Sequence, residues 1–163
     1  MLRMQLAAVA GALALLLPTV SATAAERPRW EWPVPAPHPV VRDYVAPSTP
    51  YGAGHRGVDV AVPAGTPVLA PDDGVVVWAA RIVDRGVVAI EHAGGVRSSL
   101  EPVDPRVRVG ERVVRGQVVA LAATGGAHRA GLLHLGARIR GAYVSPLLLL
   151  GTLRRAVLLP LDG

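Results

Sequence analysis

The 163 residues include no cysteine, no phenylalanine and no lysine, and aromatic side chains are limited to three tryptophans and three tyrosines. Each shortage excludes something. Without cysteine there is no disulfide framework, no thiolate zinc site, no cysteine nucleophile and no lipidated N-terminal cysteine. A folded domain must be held together by its apolar core alone. All 17 basic residues are arginines, scattered along the chain, and so few aromatic rings are available to stack bases that nucleic acid binding has no support. A formal charge of +5 would attract an anionic surface such as a wall polymer. Alanine, glycine, proline and valine are also over-used, however, and most of the charge reads as a compositional habit.

Long apolar runs are missing too. Leu6 to Leu17 is the main one, short of the ~20 residues a membrane span needs. Arg3 precedes it, and Pro18 and the small residues Ala22-Thr23-Ala24 follow, the layout of a secretory signal peptide over residues 1–24. A retained anchor is the less favoured alternative. The expected location is therefore secreted or in the cell envelope, with no stable membrane span in the mature protein. Residues 25–49 form a proline-rich lead-in that should be extended and partly ordered. Trp30 and Trp32 would point the same way on an extended chain and are expected to dock on the domain, while His38, between prolines, reads as exposed. A single domain is expected over residues 50–150, with a tail over 151–163.

That domain reads as mainly β. Short β-branched runs at Val60–Val62, Val68–Ala70, Gly74–Trp78, Val87–Ile90, Val96–Leu100, Val113–Val114 and Val118–Leu121 are punctuated by turn signals such as Pro63-Ala-Gly, Pro71-Asp-Asp-Gly and Ala93-Gly-Gly. Such spacing suggests a sandwich or barrel-like pair of sheets. Residues 64–80 and 109–122 echo one another, each running glycine, valine, glycine, apolar strand. Two similar hairpin units are expected. The run Val144 to Leu150 should close an edge of the domain.

Candidate chemistry centres on Tyr51-Gly-Ala-Gly-His55-Arg-Gly-Val-Asp59. Imidazole and carboxylate together suit zinc, although a glycine-rich turn with a hydrogen-bonded histidine would look the same. On a straight strand positions 55 and 59 would lie about 13 Å apart, too far for one ion. The chain must bend between them, and Gly57 is expected to allow unusual backbone angles there. Leu132 to Arg138 reads as a strand with Leu132, His134, Gly136 and Arg138 on one face. His134 is either a core histidine or the third member of a His-Asp-His set, which would leave a tetrahedral position open for water. His92 reads as a strand-end residue apart from any site.

The ordered motifs Gly-His55-Arg-Gly-Val-Asp59-Val-Ala, Ala-Gly-Thr-Pro-Val68, Asp73-Gly-Val-Val, Val109-Gly-Glu-Arg-Val-Val-Arg-Gly-Gln-Val and Leu133-His134-Leu resemble the lysostaphin-type (LytM) zinc metallopeptidases. The match runs over about residues 50 to 150. It implies antiparallel β-sheets built on a duplicated hybrid motif, as in glucose-permease IIA domains. It also implies a secreted Zn2+ endopeptidase acting on stem or cross-link peptides of peptidoglycan, with ligands at His55, Asp59 and His134.

Two departures bear on catalysis. The family's His-x-His has Leu132 at its first position, and its Tyr-x-His-Leu segment aligns with Leu100 and Pro102 at the tyrosine and second histidine. Glu101 and His128 are the candidates to stand in as catalytic base; otherwise Glu101 is a solvated edge charge and His128 an exposed loop residue. The expected activity is a weakened zinc endopeptidase. The alternative is a catalytically degenerate module that binds wall peptide or activates another hydrolase. A phosphotransfer domain of the IIA type fits poorly with a signal peptide.

Overall fold

A computed structural model describes residues 30–49, 51–126 and 131–151; the signal segment 1–24, His128 and the tail beyond Gly151 lie outside the described residues. Eleven strands form: β1 (Val40–Arg42), β2 (Gly57–Ala61), β3 (Pro67–Leu69), β4 (Gly74–Ile82), β5 (Arg85–His92), β6 (Val96–Glu101), β7 (Val103–Pro105), β8 (Arg112–Val113), β9 (Val118–Ala122), β10 (Leu132–Ile139) and β11 (Ala142–Val144). A single helical turn, α1 (Pro146–Leu149), follows. All strand pairs are antiparallel. One eight-stranded sheet runs β1-β2-β10-β6-β5-β4-β8, with β11 also paired to β10, and a second sheet runs β3-β9-β7. The expected mainly-β fold is what the chain adopts.

The two echoing units pair with each other. β3 lies against β9 and β4 against β8, so the first strand of each unit meets the second strand of the other. The turns between their strands are tied as well: Asp72 and Asp73, in the first, bond the Arg115 side chain and its backbone N–H in the second at 2.6 and 2.8 Å.

Strict alternation sorts the central strands into two faces. Val88 and Ile90 on β5, Leu100 on β6 and Leu133 and Leu135 on β10 are fully buried, in one cluster with Val68, Val103 and Val119 of the smaller sheet. Burying side chains of this size stabilises by roughly 1.5–3 kcal/mol each. The opposite face carries the polar residues that form the site.

β1, β7 and β11 have no counterpart in the expected strands. Each has only three residues, and β7 contains Asp104 and Pro105. Their pairing depends on neighbours distant in sequence, which a local pattern does not reveal. β4 continues four residues past Trp78, and a bulge at Val77 shifts its register against β5.

The lead-in is stitched to the domain. Trp30 N–H donates to Leu149 O at 3.1 Å, Glu31 N–H to Pro71 O at 2.8 Å, and Pro33 O accepts from Leu69 N–H at 2.7 Å. Trp30 is 2 % exposed and docks as expected, its ring edge-on to His92 at 5.5 Å. Trp32 stacks on His38 at 4.8 Å, so His38 is half-buried rather than exposed. α1 closes the same end through Leu149 and Leu150, both in the core.

Candidate metal centre

His55, Asp59 and His134 meet at the edge of the polar face. The β10–β2 register sets Asp59 directly opposite His134. His55 precedes β2 and is fixed by a bridge to Val45. His55 Nε2 lies 3.1 Å from Asp59 Oδ1 and 3.1 Å from His134 Nδ1, and His134 Nδ1 lies 2.8 Å from the same carboxylate oxygen. All three residues are buried.

Asp43 orients the set. His55 Nδ1 is 2.7 Å from the Asp43 carbonyl, which only accepts, so Nδ1 carries the proton and Nε2 presents a lone pair to the cluster. Two imidazole nitrogens and a carboxylate oxygen therefore face one another with at most one shared proton among them when both rings are neutral. This donor set fits a zinc ion. Ligand atoms around tetrahedral zinc sit about 3.4 Å apart at bond lengths of ~2.0–2.1 Å, so only a few tenths of an ångström of expansion is needed.

Gly57 serves this geometry in an unexpected way. Its φ is not among the positive values, so unusual backbone angles are not its role. A Cβ there would stand 2.2 Å from Leu135 O and 2.6 Å from His134 Nε2. Glycine leaves room for the His134 ring to lie across the strand.

Glu101 and His134 are also cross-strand partners, on β6 and β10. The Glu101 carboxylate accepts from Arg85 Nε at 2.6 Å. That hydrogen bond is the main cause holding the Arg85 guanidinium above its usual pKa. Gly126 packs beside Arg85, since a Cβ on it would meet Arg85 Cδ at 2.5 Å. The last described residue before 127–130, the segment containing His128, thus adjoins this ion pair. Leu132 lies on the His134 face, opposite Ala61, where the family resemblance implies a histidine. His92 stands apart, as expected: it is buried on the core side, bonded to Asp73 O at 2.9 Å and Ser98 Oγ at 2.8 Å.

The registers of β2, β10, β6, β5, β4 and β11 arrange the polar face in three rows. Asp59, His134 and Glu101 make the first. Gly57, Gly136, Ser99 and Ala89 make the second, which ends at Trp78 on β4. Tyr143, Arg138, Arg97 and Glu91 make the third. Gly57 and Gly136 of the middle row are buried, with the His134 ring over Gly57, whereas Ser99 and Ala89 are half-buried. Trp78, Val87, Ala89, Ser99, Arg97 and Arg138 border a cavity of about 370 Å³. Sequence reading placed Gly136 and Arg138 on the His134 face but missed Ser99, Trp78, Arg97 and Tyr143, because strand register is not written in local pattern.

Residues 53–146 match the model of peptidase family M23. An uncharacterised protein of Mycobacterium tuberculosis is 44% identical over 117 residues, 68% of this chain and 47% of its own length. The DD-carboxypeptidase/endopeptidase Mpg of Neisseria meningitidis is 36% identical over 93 residues, 56% of this chain and 22% of that protein. The chain thus spans less than half the length of these relatives. A zinc-containing peptidase from Vibrio cholerae shares the fold at TM-score 0.64 and 28% identity, over 75% of this chain and 40% of the solved one. With the motif order, the antiparallel fold and the His-Asp-His cluster in agreement, this chain belongs to peptidase family M23.

Proposed function

We propose that the chain is an exported, zinc-dependent endopeptidase acting on peptide cross-links of peptidoglycan. The observation that carries this reading is the convergence of His55, Asp59 and His134, whose ligand atoms all lie within 4.8 Å of one another on the polar face of the large sheet. The zinc-containing neighbour and the DD-peptidase relative support the metal and the substrate class. Export rests on the N-terminal pattern of residues 1–24.

His55, Asp59 and His134 would hold the metal, which supplies a Lewis acid and lowers the pKa of a bound water to about 7. The chain's own contribution is placement. Asp43 O fixes the His55 tautomer, and Gly57 lets His134 turn its Nδ1 inward. The cavity bordered by Trp78, Ser99 and Arg138 on the same face can seat part of an extended peptide. Among the described residues Glu101 is the acid–base group that shares the ligand row without belonging to the cluster, and it is the proposed proton carrier. His128 is the second proposed carrier, and its segment is flanked by Gly126 next to Arg85.

Leu132 favours a second reading, a module that holds zinc and wall peptide without efficient cleavage. Digestion of purified peptidoglycan by zinc-loaded protein, read as newly freed amino groups, separates the two. Release that disappears in His134→Ala is expected; no release from wild type with one zinc bound would leave the binding module standing.

A further inference from the structure

The third row of the polar face holds a charge arrangement that the metal chemistry does not use. Arg97 and Arg138 are direct cross-strand partners on β6 and β10. Like charges set opposite one another weaken a sheet unless an anion lies between them. One is compensated: Arg97 Nε donates to Glu91 Oε2 at 2.7 Å. Arg138 has no carboxylate partner among the described residues. It donates to the Tyr143 hydroxyl, and its guanidinium lies 4.2 Å from the centre of that ring. Because the Tyr143 oxygen accepts from Arg138, its own proton remains available to a further acceptor. Arg138 lies four positions beyond His134 on the same face of β10, about 13 Å away. Both arginines border the cavity that Trp78 also lines.

We propose that Arg97 and Arg138, with the Tyr143 hydroxyl, form a subsite for a free carboxylate of the wall peptide, two to four residues from the bond presented to the metal centre. The site rests on the peptidoglycan reading above and adds a substrate requirement to it. Each guanidinium keeps N–H donors beyond those that Glu91 and Tyr143 engage, and the arginine fork matches carboxylate geometry. An extended peptide advances about 3.3 Å per residue, so the arginines select peptides whose carboxylate lies that far from the reacting carbonyl. The apolar wall of Trp78 and Val87 takes the adjoining aliphatic stem.

The test uses two soluble wall-type peptides that are identical except that one bears free carboxylates and the other primary amides. Binding to the zinc-loaded chain is measured by calorimetry, without reliance on turnover. Wild type should prefer the carboxylate form by about ten- to a hundredfold, the range expected for charge-assisted hydrogen bonds. Arg138→Gln should abolish most of that preference, weaken the carboxylate form far more than the amide form and retain one zinc per chain. Arg97→Gln should reduce it less, since Glu91 already engages Arg97, and this variant carries the test if Arg138→Gln fails to fold. Equal binding of both peptides by wild type, or an undiminished preference in the variants, would overturn the subsite and leave the wall-peptide reading intact. Failure of wild type to bind either peptide would remove both.

Discussion

Glu101 and His134 face each other across adjacent strands, yet the Glu101 carboxylate is held by Arg85 at 2.6 Å. The ion pair places a proton-accepting group within one strand spacing of the proposed zinc ligands and fixes its rotamer. If Glu101 carries the proton as proposed, it should contribute the 10²–10⁴-fold typical of general acid–base catalysis. Glu101→Gln should therefore lower the initial rate of peptide release by at least about 10²-fold with zinc content unchanged. A rate equal to wild type would reduce Glu101 to a structural partner of Arg85 in a part-buried ion pair.

Gly57→Ala tests the room left for His134. With 2.2 Å between a new Cβ and Leu135 O, β2 must move away from β10 or the ring must swing out. Overpacking of this kind costs about 1–3 kcal/mol, and the ligand triangle should open. Thermal denaturation should report the lower stability, and metal analysis after dialysis should report zinc below one per chain. Full zinc occupancy at wild-type stability would show that the strand yields without disturbing the cluster.

The fold was largely legible because alternation is local: β5, β6 and β10 carry their apolar and polar faces in the order of their residues. The cluster was legible for a different reason, since His55, Asp59 and His134 sit in short motifs of fixed order. What the sequence hid depends on register. Nothing local says that Arg97 stands opposite Arg138, or that Ser99 and Gly136 share a row. Gly57 was singled out for the wrong property, because a glycine needed for φ and one needed for a neighbouring ring look the same in sequence. The packing of Trp30 against Leu149 likewise joins residues more than a hundred positions apart.

Removing the metal should leave the domain folded. Its core of Val58, Val60, Ile90, Leu100, Leu133 and Leu135 is buried independently of the site, and only three side chains converge on the cluster. A ligand at a hundred times its dissociation constant adds about 2.7 kcal/mol. Chelation should therefore lower the midpoint of thermal unfolding by several degrees and preserve the β-sheet circular dichroism signal. Complete unfolding on chelation would mean that zinc organises the sheet rather than resting on it.

Leu132 is the residue through which the two functional readings diverge most sharply. It lies two positions from His134 on the same face of β10, and its partner across the strand is Ala61. Histidine at this position would bring an imidazole to the side of the cluster, with little steric opposition from the facing methyl group. If the wild-type rate is held down by the lack of a histidine at this position, Leu132→His should raise peptide release by about tenfold or more, within the range that general acid–base assistance supplies. Zinc stoichiometry should stay at one, and stability should change little, since Leu132 is only half-buried. Zinc-loaded Leu132→His protein that still binds wall peptide but releases nothing would show that more than a base has been lost, and the chain would then be a binding module built on a peptidase fold.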